Sequence, residues 1–176
     1  PASVVPSCSL SLTDTYGHVE RYGGYIKGQS RIAITVNATT AYGSSIVSYS
    51  TSVNGATSGS KSFTTGILKN AGDQTITSTV TDKRGRKGTT SVSINVLDYA
   101  PPNISKLYVK RCKEDGTEDD RGEYIKVKVS VNVTSLHSKN EPIYRLQYKK
   151  SSDVDWTDID VSDINSGTYI QNADYI

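Results

Sequence analysis

The chain contains no methionine, one phenylalanine, one tryptophan, two cysteines and two histidines in 176 residues. Each scarcity closes a route. His18 and His137 are the only histidines, and neither G-x-S-x-G nor H-E-x-x-H occurs. The strained nucleophile turn of α/β-hydrolases and the zinc-protease helix are therefore both missing. Paired carboxylates, the remaining hydrolytic device, carry no marker in the sequence. The short loops also leave little material for a cleft. The chain is read as non-enzymatic, with no cofactor. Cys8 and Cys112 stand 104 residues apart and fall in different expected domains. An immunoglobulin-type bridge joins two strands of one domain, so the expectation is two unpaired thiols and a fold stabilised by its cores. No apolar run is long enough to span a membrane, and no signal peptide is present. With no initiator Met and an abrupt start at Pro1, the sequence reads as a fragment of something longer.

What is abundant is Thr, Ser, Val, Ile and Tyr, the types that suit a pleated, half-buried surface. No segment repeats apolar residues at helical spacing over several turns. The composition points to an all-β protein. The net charge is only +2, but it is unevenly spread. Residues 1–98 carry nine Lys and Arg against five Asp and Glu, and residues 99–176 carry eleven against thirteen. That change of sign supports two units and is too weak to imply nucleic acid. The alternation Lys126-Val127-Lys128-Val129 is the pattern of a solvated sheet face.

Alternation with period two predicts strands over 8–13, 31–39, 44–53, 61–68, 73–81 and 89–97, with Gly and Asn-Gly breakers between them. Inward sets are Ile32/Ile34/Val36, Val47/Tyr49/Val53, Phe63/Ile67, Ile76/Val80 and Val92/Ile94/Val96. The Tyr22-Gly23-Gly24-Tyr25 stretch reads as a loop. Turn signals every ten residues or so describe a β-sandwich. Asp98-Tyr99-Ala100-Pro101-Pro102 then ends the sheet, because proline fixes φ and cannot donate to a ladder. The expected organisation is a sandwich over 1–98, a Pro-rich linker over 99–102 and a second sandwich over 103–176. In the second domain, strands are expected over 104–111, 123–134, 143–149, 156–161 and 168–175. Five strands fall short of the usual seven, so this domain is expected to be truncated. It would then expose an open sheet edge suited to pairing with a second copy.

Ile143-Tyr144-Arg145-Leu146-Gln147-Tyr148, a polar turn, then Trp156-Thr157-Asp158-Ile159, resembles the C–C′ hairpin of fibronectin type III-like domains. The strand that should carry the core Trp of that family, Tyr124 to Val129, has none. A longer ordered set comprises Thr81-Asp82-Lys83-Arg84-Gly85-Arg86, Asp98 to Pro102, and Arg111 to Tyr124. It resembles tail or minor structural proteins of siphophages that infect Gram-positive bacteria, built from tandem immunoglobulin-like modules. The resemblance covers most of residues 30–160. It implies two tandem β-sandwich domains, immunoglobulin-like then fibronectin III-like, in a phage tail or baseplate protein. The implied location is the virion, and the implied partners are other virion tail proteins. The implied role is spacer, decoration or host-surface contact. The alternative is a bacterial surface adhesin or a carbohydrate-binding accessory module of a secreted protein, placed outside the cell. A purely structural oligomerisation module is a third reading.

Two features are candidates for contact with a host cell wall. The basic tip Lys83, Arg84, Arg86 and Lys87 offers charge to anionic polymer such as teichoic acid. Tyr22 and Tyr25 offer rings that stack on wall polysaccharide and hydroxyls that bond to it. The plainer readings are a hairpin kept soluble by charge and tyrosines that cap the core. Nucleic acid would want a broader basic surface with stacking aromatics, and neither is evident. Asp115, Glu118, Asp119 and Asp120 gather oxygen ligands of the kind Ca²⁺ takes. They depart from the D-x-[DN]-x-[DN]-G spacing, and Asp115-Gly116 alone accounts for a turn, so the reading is no metal.

Overall fold

The computed structural model describes residues 4–141, 143, 145–149, 151–159 and 168–175. Strands dominate, and the protein is all-β. Its chain divides into two compact units, Pro1–Tyr99 and Ala100–Ile176.

The first unit holds β1 (Ser7–Asp14), α1 (His18–Tyr22), β2 (Tyr25–Ile26), β3 (Ile32–Thr39) and β4 (Ile46–Val53), followed by β5 (Ala56–Ser58), β6 (Ser62–Thr64), β7 (Gly72–Asp82) and β8 (Lys87–Leu97). Two sheets form, one in the order β1-β3-β6 and one in the order β2-β8-β7-β4-β5. Every pairing is antiparallel except β2 with β8. Both sheets contribute to one core. Ile32 and Ile34 come from the first, Val53, Ile76, Ile94 and Val96 from the second, and Leu68 from the segment between β6 and β7. The alternation along β3 and β7 turns one set of side chains inward, as the sequence predicts. Within the same layer Thr51 and Ser78 are fully buried and satisfy each other through hydroxyls 2.9 Å apart.

Three expectations are corrected by local geometry. Val47 is 56 % exposed, because the β4–β7 register slips between Ile46 and Ser48. A bulge leaves the extra residue out of the ladder and reverses the inward phase. The strand expected over 61–68 stops at Thr64. Beyond it the Thr65 hydroxyl accepts the Ile32 N–H, and the Leu68 backbone bonds to Gly28 and Ser30. That irregular path buries Leu68 instead of Ile67. The Tyr22–Tyr25 stretch is irregular only at Gly23-Gly24; Tyr22 ends α1 and Tyr25 begins β2. Gly17 and Gly23, at φ 71° and 82°, bracket the single turn of α1, and the Asp14 carboxylate accepts the Tyr16 and Val19 N–H groups at its start. Five residues are too few for a periodicity signal.

The second unit holds β9 (Asn103–Cys112), β10 (Tyr124–Asn132), β11 (Leu146–Tyr148), β12 (Thr157–Ile159) and β13 (Thr168–Tyr175). β10 lies between β13 and β9, and β11 pairs with β12. Residues 144, 160 and 161 of the expected strands lie outside the described residues. Register puts Leu107 opposite Val129, Val109 opposite Val127 and Arg111 opposite Ile125. This apolar face is largely open, with Leu107 60 % and Val109 55 % exposed. The edges of the three-stranded sheet are β9 and β13. Neither Cys8 nor Cys112 forms a disulfide, and the two stand in different units.

Candidate functional site

The basic tip is a constructed turn. Asp82 ends β7 and is 1 % exposed. Its Oδ1 accepts the N–H groups of Arg84 and Arg86, each at 2.9 Å, and its Oδ2 accepts the Arg86 guanidinium at 3.2–3.3 Å. Gly85, at φ 77°, closes the three-residue loop, while the Asp82 N–H donates to the Arg86 carbonyl. Burial works to raise the Asp82 pKa. The amide hydrogen bonds from Arg86 and Arg84 outweigh it and hold the carboxyl below its ordinary value.

The turn is also tied sideways. The Arg84 guanidinium donates to the carbonyls of Ala41 and Tyr42 and lies 6.0 Å from the centre of the Tyr42 ring. Tyr42 itself takes φ 55° and is exposed. Of the four cations expected to face a ligand, Arg84 and Arg86 are committed to the protein's own turn. Lys83 and Lys87 remain exposed on it. The geometry thus makes a hydrogen-bonded tip on which Lys83 and Lys87 are exposed, tied through Arg84 to the exposed Tyr42.

Because the Asp82 carboxyl titrates below its ordinary value, its charge stabilises the fold at neutral pH. That contribution is lost as pH falls below about 4 toward the folded-state value. Asp82→Asn is therefore expected to melt below the parent chain at pH 7, with the gap narrowing on acidification. Circular dichroism melts across pH 2–7 measure it, and a gap independent of pH would show that the charge contributes nothing.

The tyrosine expectation divides. Tyr25 is 8 % exposed and belongs to the core, so its place as a surface ligand residue is corrected. Pairing of β2 with β8 draws it inward, and burial, helped by the Asp14 charge, raises its phenol pKa. Tyr22 sits at the end of α1 in a surface cluster. The Tyr16 and His18 rings stack at 5.7 Å, Tyr22 lies 6.2 Å from His18, and Arg21 covers the Tyr22 ring at 5.2 Å. His18 Nδ1 is anchored 2.8 Å from the buried Ser30 hydroxyl, which also accepts the Ile26 N–H. The tip and this cluster do not meet. Tyr25 pairs with Val96 near one end of β8, while the basic turn leads into Lys87 at the other. At about 3.3 Å per residue the two ends are roughly 30 Å apart.

The acidic connection between β9 and β10 spends its carboxylates locally. Asp115 accepts the Thr117 N–H, Asp119 accepts the Arg121 N–H and pairs with Lys113, and Glu118 accepts the Tyr108 hydroxyl. Asp120 lies 4.0 Å from Lys110. Among the described residues no three metal-ligating side chains converge.

Residues 1–175 match the model of a family described as a siphovirus protein of unknown function (DUF859). The chain belongs to that siphovirus family. No curated protein matches it. Membership points to a phage structural protein associated with the virion, which agrees with the coarser part of the resemblance carried by Thr81–Arg86 and Asp98–Pro102.

Proposed function

We propose that this siphovirus protein is a tail or baseplate component of a phage that infects Gram-positive bacteria. In this reading an immunoglobulin-like unit precedes a fibronectin III-like unit, and the pair acts mechanically, without catalysis or cofactor. The units serve as a spacer that holds loop tips outward, where binding on sandwich scaffolds usually resides. The observation that carries the reading is the family match over an all-β chain of two successive units. Other tail proteins are the expected partners, with host wall polysaccharide or teichoic acid at the Tyr42–Lys83–Lys87 tip. The open edges of the second unit are the expected route to self-association.

Immunogold microscopy of intact virions with antibodies to the chain tests the location. Label at the tail or its tip is expected, and label confined to the capsid would overturn the assignment. Binding of the fluorescent chain to intact Gram-positive cells, before and after wall polysaccharide is stripped, then separates contact from spacing. Saturable binding lost on stripping makes the protein a receptor contact, and its loss in a Lys83→Glu/Lys87→Glu variant would assign that contact to the tip. Its absence from every host that the phage infects leaves the spacer role alone.

A further inference from the structure

The short loops lead to the expectation of no cleft, yet the first unit has one. It is a solvent-open cleft of about 480 Å³ between the edge strand of each sheet, β5 on one side and β6 on the other. That volume falls within the range of small-molecule sites. We infer that this cleft binds a pyranose unit of a glycan, neutral or anionic. The inference stands apart from where in the virion the protein sits.

Its floor is apolar, formed by Val53, Phe63 and Ile67. Phe63 is the only phenylalanine of the chain and is partly buried against the core. The C–H face of a sugar ring packs on such an aromatic surface. The rim is polar and contains no carboxylate. Thr57 and Thr64 are exposed on the two facing edges, and among the described residues no hydrogen bond engages either hydroxyl. Lys69 also lines the cleft and has no ion pair among the described residues. One cation and no acid favour a neutral or negatively charged sugar and disfavour a cationic one.

The backbone adds directional groups. The Val36 N–H donates to the Lys61 carbonyl and the Thr65 N–H donates to the Ile32 carbonyl, so the odd-numbered backbone positions around β6 face β3. In an antiparallel ladder the alternate residues then point away. Thr64, which lines the cleft, thus turns its N–H and C=O groups to the open side. On β5 the two-residue Asn54-Gly55 turn, with φ 52° and 75°, makes Val53–Ala56 the closing pair. Thr57 is left as the outward residue. Asn54 braces the cleft by donating from Nδ2 to the Ile67 carbonyl at 3.2 Å. Its Oδ1 is occluded and has no partner among the described residues. Donors and acceptors that alternate around an apolar floor match a ring with a hydroxyl rim.

The experiment is NMR titration of the ¹⁵N-labelled chain with methyl glucoside, N-acetylglucosamine and glucose 1-phosphate in the millimolar range. At least one sugar is expected to give saturable shifts centred on Ala56–Ser58 and Thr64–Lys69. The isosteric Thr57→Val/Thr64→Val double variant, both positions being exposed, is expected to weaken binding at least fivefold with the remaining spectrum unchanged. Lys69→Gln should reduce affinity for the phosphate sugar more than for the neutral ones. No saturable shift with any of the three sugars overturns the inference. So do shifts that map to Tyr16, His18 and Tyr22 instead, or unchanged affinity in the double variant. None of these outcomes bears on immunogold location, so the two readings fail separately.

Discussion

Gly88→Val is expected to unfold the first unit or destabilise it by about 3 kcal/mol, near the top of the range for overpacked sites. A side chain here has nowhere to go. A Cβ on Gly88 would overlap the carbonyl oxygen of Pro6 and come within 2.8 Å of its carbonyl carbon. Those are backbone atoms, so relief requires the chain leading into β1 to lift away. β1 carries Leu10 and Leu12 against the core and pairs with β3 along its whole length, so lifting it uncovers apolar surface. Gly59→Ala is the matched control, since a Cβ there makes an ordinary contact 3.7 Å from the Tyr49 carbonyl. Urea melts followed by circular dichroism give both values. A Gly88→Val midpoint equal to that of Gly59→Ala would mean that the approach of Pro6 is not a constraint.

Ile34→Ala is the second large effect, with an expected loss of about 2–5 kcal/mol. Ile34 is fully buried in the middle of β3, paired to Leu12 on one side and Phe63 on the other. Truncation there opens a cavity between two sheets whose backbones are tied by ladders, and that limits collapse. Leu107→Ala removes the same kind of side chain from the open face of β9. It is expected to change stability by about 0.5 kcal/mol or less, as at most surface positions. Equal losses in the two variants, read from urea midpoints at constant slope, would contradict the burial contrast.

Much of this architecture was legible because strand alternation is a local signal. Ile32/Ile34/Val36 and Ile76/Val80 read correctly from parity alone, since nothing interrupts β3 or β7. Val47 did not, because a bulge is a property of the pairing between β4 and β7 and leaves no mark in β4 itself. Ile67 and Leu68 exchanged roles for a similar reason: a threonine hydroxyl replaced a backbone partner and ended the strand early. At the candidate site the charges of the basic tip were visible and their duties were not. Arg84 and Arg86 look alike in sequence to Lys83 and Lys87, and what separates them lies elsewhere in the fold: the Ala41 and Tyr42 carbonyls for Arg84 and the buried Asp82 carboxylate for Arg86. The cleft was missed because it lies between edges from different sheets, and the threonines on its rim look in sequence like the many others that form strands.

The division of labour within the basic turn also bears on how such a protein changes over generations. Asp82, Gly85 and Arg86 hold one another in place, so a change at any of them must be compensated by the others. Lys83 and Lys87 are exposed on the frame, and neither takes part in the hydrogen bonds of Asp82 and Arg86 that hold it. Their charge can be reversed by single codon changes while the hairpin keeps its shape. A lineage facing a changed surface could vary what the tip presents through these two positions and keep the scaffold that presents it.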